Sequence, residues 1–277
     1  MNNAKTFMLM AGLMALFLTA GQVMGGNQGL VMALIAGSAM NFIMFFFSDK
    51  MVLKMYRARV VSEQDAPELY RMVDRLRQRA GLPMPVVAIA DQAQPNAFAT
   101  GRSPRKAVVA VTSGLLQHMS PREIEGVIAH ELGHIKNRDM LIATVAAGIA
   151  GAIGFLPYLL MFGGGRRREG GNPLIMIALA ILGPIAAMLI QMAVSRQREF
   201  EADRTAAEIL GTAEPMMGAL QKLDALSHRI PMDVMPAAAP LAQVNPLAMQ
   251  GGGISKLFST HPPIEERIAR LAALPRR

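Results

Sequence analysis

Residues 6–48 contain no Asp, Glu, Lys or Arg. Water-soluble domains rarely leave so long a stretch uncharged, and its one polar interruption is GGNQG at residues 25–29. The stretch divides into apolar runs at 6–24 and 30–47, each near the roughly 20 residues that a helix needs to cross a bilayer. A secretory signal peptide is the rival reading of the first run, because Lys5 precedes it. Against that, a second run follows at once and the small residues near Ala20 make a poor cleavage site. The connecting loop carries no charge, whereas Lys50, Lys54, Arg57 and Arg59 follow the second run. The positive-inside tendency then places both ends of a transmembrane hairpin in the cytoplasm.

Composition agrees with a membrane protein: hydrophobic residues make up 52% of the chain, mean hydropathy is +0.30, and no Trp is present. The net charge of +8 is concentrated outside the apolar runs, which points to anionic lipid rather than nucleic acid. The absence of cysteine removes disulfides and thiolate ligands, so any metal must be held by His and carboxylate.

Beyond the hairpin the pattern becomes that of a soluble domain. Residues 65–80 place Leu69, Met72, Val73 and Leu76 at helical spacing, with Asp65 as the expected cap, Glu68 three positions on and Gly81 as the stop. The opposite face, Arg71, Arg75, Arg77 and Arg79, reads as solvated. Residues 86–90 and 107–112 are β-rich and bounded by Pro and Gly, with DQAQPNAFATGRSPRK between them. An exposed edge of such a sheet can hold an extended peptide by strand addition.

The chemistry is concentrated in SPREIEGVIAHELGHIKNRD, residues 120–139. Ser120, Pro121 and Glu123 compose a capping box with proline at the first helical position, and Ile124, Val127, Ile128 and Leu132 give the helix a core-facing side. On that helix His130 and His134 stack on one face with Glu131 beside them. Two imidazoles so placed can bind one zinc ion, and the glutamate can take a proton from water. A third ligand is needed to separate this from a chance arrangement of histidines. Apolar runs at 140–162 and 174–194 follow, and if both span the bilayer the chain returns to the same side. Arg166, Arg167 and Arg168 between them run against the positive-inside tendency, so a shallow hairpin stays open beside the preferred spanning one. Next comes SRQREFEADRTAAEIL, in which Glu199 and Asp203 share a helix face. One carboxylate can complete a metal shell while the other orients a ligand histidine; an ordinary charged helix is the alternative.

Taken together, HELGH at 130–134, EFEAD at 199–203, PNAFATG at 95–101, the following AVVAVTSGLL and STHPPIEERI at 259–268 resemble the HtpX heat-shock membrane proteases, relatives of the integral-membrane CAAX prenyl endopeptidases. The resemblance covers almost the whole chain. It implies one zinc ion per chain held by His130, His134 and Glu199, with Glu131 as general base and Asp203 bonded to a ligand. It further implies a substrate strand at Asn96, Ala97 and Phe98, and His261 and Arg267 near the metal as stabilisers of the tetrahedral oxyanion. From the residues alone, His261 before two prolines is a rigidly held loop histidine.

The expected fold is a mainly α membrane protein: four hydrophobic helices plus a zincin-like α+β catalytic domain with a small β-sheet. Its divisions are 1–48, the N-terminal hairpin; 49–139, the first catalytic part; 140–195, the second hairpin; and 196–277, the part with the third ligand. The 231–253 segment, rich in Pro, Ala, Met and Gly, reads as a loop, with a cleft lid as its functional alternative. The expected function is endopeptidase cleavage of membrane or misfolded polypeptides at the cytoplasmic face of a bacterial inner membrane, without a nucleic-acid partner. A non-catalytic zinc scaffold and a channel are the competing classes, and the spans lack the ionisable residues that transport normally needs.

Overall fold

The computed structural model describes residues 2–141, 196–231 and 262–275. Over these the chain is mostly helical with one small mixed sheet. The first element, α1 (Asn2–Met55), keeps helical hydrogen bonding for 54 residues. It is nevertheless not a straight rod. Asn41 donates through Nδ2 to the carbonyl of Met10 at 3.2 Å, whereas 31 residues of straight helix would separate them by about 46 Å. Gly26 sits between them at φ +55°, a conformation open to a residue without Cβ, so α1 folds back on itself there. The expected break at 25–29 is present as this reversal.

Within α1, Gly26–Phe47 is long and apolar enough to cross a membrane by length and composition, with a mean hydropathy of 2.1. Its side chains find little protein to pack against: Met32 is 67% and Ile35 61% exposed. Among the described residues this is the one such segment. The runs at 140–162 and 174–194 lie outside them from residue 142 to 195 together with Arg166, Arg167 and Arg168, as does the loop from 232 to 253.

After α1 come β1 (Ala58–Val60), α2 (Pro67–Ala80), β2 (Val86–Ala90), β3 (Ala97–Gly101) and β4 (Ala107–Thr112). The sheet order is β1-β2-β4-β3, with β2 and β4 parallel and the other pairs antiparallel. Strand β3 occupies a segment that the sequence reading treats as a connector. Its residues AFATG lie after Pro95 and register with β4 from Ala97↔Val111 to Gly101↔Ala107, and that pairing, rather than a run of β-branched residues, makes it a strand. Asp65 is not the cap of α2: its carboxylate accepts from the Ser62 backbone and hydroxyl, and Ala66 takes the N-cap position without a side-chain bond. On the basic face of α2, Arg75 pairs with Glu125 and Arg77 with Asp74, while Arg71 and Arg79 are exposed.

The body of the protein is built around α4 (Pro121–Asn137), which follows the short α3 (Ser113–His118). Both bonds of the expected capping box form, between the Ser120 hydroxyl and the Glu123 N–H and between the Glu123 carboxylate and the Ser120 N–H. α4 buries Val127, Ile128 and Leu132 completely, each worth about 1.5–3 kcal/mol relative to exposure. It packs against α5 (Arg196–Leu210) and α6 (Glu214–Ser227), and α7 (Ile264–Ala272) closes over both. Close approach is possible because α4 carries glycine at the contacts. A Cβ at Gly133 would lie 3.0 Å from the Ala202 carbonyl oxygen of α5, and one at Gly126 would lie 2.7 Å from the Pro215 backbone of α6. Gly133, inside HELGH, thus sets how near α5 comes to the histidines.

Candidate metal centre

α4 brings His130 and His134 to one side, with ring centroids 4.6 Å apart and planes at 86°. The close packing at Gly133 delivers Glu199 from the first turn of α5. His130 Nε2 lies 3.7 Å from Glu199 Oε2, and His134 Nε2 lies 3.6 Å from Glu199 Oε1. Donor atoms of all three fall within 4.8 Å of one another. Two ligands bound to one ion at about 2.1 Å in tetrahedral geometry stand about 3.4 Å apart, so the spacing suits a single cation.

The outward nitrogens are also accounted for. His130 Nδ1 bonds Asp203 at 2.8 Å, and His134 Nδ1 lies 3.2 Å from both oxygens of Asp139. With Nδ1–H donating to a carboxylate, each ring turns Nε2 toward Glu199, which is the orientation a metal ligand requires once that nitrogen is unprotonated. Asp203 is itself gripped by Arg267, Nε at 2.8 Å and Nη2 at 2.7 Å, while Arg267 Nη1 lies 3.8 Å from Glu199. Arg267 is fully buried.

Electrostatics reinforce the fit to a cation. Burial opposes charge on His134, yet Asp139, Glu199 and Glu131 outweigh it and push the imidazole up to about 10. Burial pushes His130 down to about 4, so this ring is neutral at pH 7. Glu131 is raised to about 7, first by burial and then by Glu199, against the pull of His134 and a bond from the Ala99 N–H of β3. Burial works against the Asp203 carboxylate, but Arg267 and His130 hold it down at about 2. Carboxylates therefore crowd a buried site that demands positive charge, and a divalent ion meets that demand.

The structure brings together His130, Glu131, His134, Glu199, Asp203 and Arg267. Asn96, Ala97 and Phe98 are buried at and beside β3, whose next residue, Ala99, contacts Glu131. His261 lies outside the described residues. Two participants escape the sequence reading. Asp139 ends the very stretch that carries the histidines, yet only the left-handed turn at Arg138 (φ +57°) brings it back onto His134. Tyr56 precedes the catalytic region by many residues, but it is buried with its ring 4.2 Å from Phe98. Burial first, and the Glu131 charge second, drive its hydroxyl far above the usual range.

A helix with two histidines and a glutamate, a carboxylate from a second helix and a sheet edge alongside define the class: an HExxH metallopeptidase. Comparison with known proteins gives the family. Residues 63–274 match peptidase family M48. The chain is 57% identical over 277 residues to a protein named Protease HtpX homolog from Gemmatimonas aurantiaca, covering 99% of both chains. It is 54% identical over 275 residues to the homolog from Ralstonia nicotianae, covering 98% of this chain and 96% of that one. The chain belongs to peptidase family M48, among the HtpX proteases. A solved structure of S. mikatae Ste24p aligns with a TM-score of 0.49 at 19% identity over 94% of this chain, which spans 62% of that protein's length.

Proposed function

We propose that the protein is a zinc endopeptidase of the bacterial inner membrane that cleaves membrane or misfolded polypeptides at the cytoplasmic face. The observation that carries the site is the convergence of both histidine Nε2 atoms on Glu199 while both Nδ1 atoms are held by carboxylates. His130, His134 and Glu199 would hold one zinc ion, which when bound supplies a Lewis acid that polarises the scissile carbonyl and acidifies water. Glu131 accepts the proton of the attacking water on its carboxylate and returns it to the departing amine; its elevated affinity for a proton suits both steps. Strand β3 sits at the end of the sheet order and touches Glu131 through the Ala99 N–H. That supports alignment of an extended substrate along the Asn96–Ala97–Phe98 backbone, by strand addition.

Asp203 and Asp139 fix the imidazole tautomers. Arg267 commits Nε and Nη2 to Asp203, so its part is to position that carboxylate; stabilisation of the oxyanion falls to His261. Membrane attachment rests on Gly26–Phe47 and its exposed apolar surface. Four basic residues, Lys50, Lys54, Arg57 and Arg59, follow that segment and support a cytoplasmic catalytic body.

Purified Glu131→Gln protein tests the reading. It is expected to retain one zinc per chain and to lose casein cleavage by about 100- to 10,000-fold. Full cleavage by that variant, or wild-type protein that takes up no zinc, overturns it.

A further inference from the structure

One charged feature takes no part in the metal site. Beyond the last turn of α4 lies a cleft of about 670 Å³, whose lining includes Arg102, Arg105, Lys136 and Arg138 and no carboxylate. Among the described residues none of these cations has an acidic side chain within ion-pair distance. Lys136 and Arg138 stand at the C-terminal end of α4, where cations offset the helix dipole. Arg102 and Arg105 come from the loop and short 3-10 turn between β3 and β4, and the dipole does not account for them. Like charges drawn into one concavity repel, which is a cost unless an anion occupies the space between them.

The position of the cleft indicates which anion. The Arg102 guanidinium lies over the ring of Phe46, 4.6 Å from its centroid, and Phe46 is at the end of the apolar segment Gly26–Phe47. Lys50 approaches Phe47 in the same way at 5.6 Å. The lining also includes Met140 and Leu141, which begin the next apolar run of the sequence. The cations are thus gathered where one apolar stretch ends and another begins, at the depth of lipid headgroups, with aliphatic and aromatic surface beside them. A soluble anion has no use for that surface, whereas a phospholipid places its phosphate among the cations and its acyl chains along Gly26–Phe47.

We propose that this cleft binds the phosphate headgroup of an anionic phospholipid. Its occupant ties the end of α4 to the membrane surface. Arg138 bonds through its backbone N–H to the carbonyl of Ile135, and the next residue, Asp139, holds His134 through both its N–H and its carboxylate, so the headgroup sits one residue from the metal site. The inference rests on Gly26–Phe47 lying in a membrane. It is tested by lipid binding without a peptidase assay, so its failure is distinct from failure of the zinc reading.

The experiment is thermal unfolding of the full chain in neutral detergent, titrated with dihexanoyl phosphatidylglycerol, dihexanoyl phosphatidylcholine or inorganic phosphate. Phosphatidylglycerol is expected to raise Tm at concentrations where the other two do not. Arg105→Gln/Lys136→Gln should need about 25-fold more of it for the same rise, about fivefold per charge removed. Arg71→Gln/Arg122→Gln, which removes equal charge from exposed positions away from the cleft lining, should respond like wild type. If the double cleft variant does not fold, Lys136→Gln alone, at an exposed site, is expected to need about fivefold more. Equal weakening in both double variants would mean general surface potential, and an equal rise with inorganic phosphate would mean a soluble-anion site. Either result, or no response to phosphatidylglycerol, overturns the proposal.

Discussion

The two histidines are four residues apart on one helix, yet the structure holds them in different ways. His130 is fully buried, and its carboxylate partner Asp203 comes from α5 and is gripped by Arg267 of α7, so three helices meet at one ring. His134 keeps 18% of its side chain exposed and takes its partner, Asp139, from five residues down its own chain, at the longer distance of 3.2 Å. The His130 arm can exist only when the tertiary fold is complete. The His134 arm needs little more than the end of α4. The difference teaches that metal affinity and global stability are joined through one histidine and largely separate at the other.

The largest effect is expected at the long-range arm. Arg267→Met removes the cation from a buried carboxylate and should cost about 3–5 kcal/mol of stability, seen as a fall in denaturant midpoint with unchanged slope. Adding Asp203→Asn should recover part of the loss, because the orphaned charge is then gone. A double variant as unstable as the sum of the singles would show that the arm is not one coupled unit.

Acid should act on the same arm. The folded Asp203 carboxylate is held at about 2, below its ordinary 3.8. Its contribution is therefore fully present above about pH 4 and is lost as pH falls toward 2. A depression of that size is worth about 2 kcal/mol. Chelator-treated wild type should lose stability through this window more steeply than Asp203→Asn, and parallel curves would remove Asp203 from the account.

The local arm should show itself in affinity instead. Asp139→Asn is expected to weaken zinc binding by about 10- to 100-fold while moving the metal-free denaturation midpoint much less than Arg267→Met does. If Asp139→Asn instead unfolds the metal-free protein, the contrast between the two histidines fails.

The same division explains what could be read from the residues in advance. Capping box, proline at the first turn and histidines at one helical interval are local facts, and α4 forms as they require. Glu199 and Asp203 could be placed because their spacing on α5 is again local, and the family resemblance supplied the pairing between helices. Asp139 is not legible in advance because its position depends on a left-handed Arg138, which no local preference of arginine announces. Tyr56 reaches the site only through tertiary packing, in which Val52 and Tyr56 from the end of α1 cluster with Phe98 of β3 and with Val108 and Ala110 of β4. Strand β3 itself draws its conformation from register with β4, not from its own Ala-rich residues.

The smallest effect tests whether α4 is a unit in its own right. The Ser120 hydroxyl accepts from the Glu123 N–H, the Glu123 carboxylate accepts from the Ser120 N–H at 2.7 Å, and Lys222 of α6 reaches the same carboxylate at 3.2 Å. Ser120→Ala removes one of these bonds and leaves the other two donors on Glu123 in place, so the expected loss is about 1 kcal/mol. Ten residues separate Ser120 from His130, nearly three turns of a helix whose middle is fully buried. Fraying at the cap should stop short of the histidines, and zinc affinity should match wild type within error. A matching drop in zinc affinity would mean that α4 opens as a whole, in which case the His134 arm depends on the tertiary fold as much as its neighbour does.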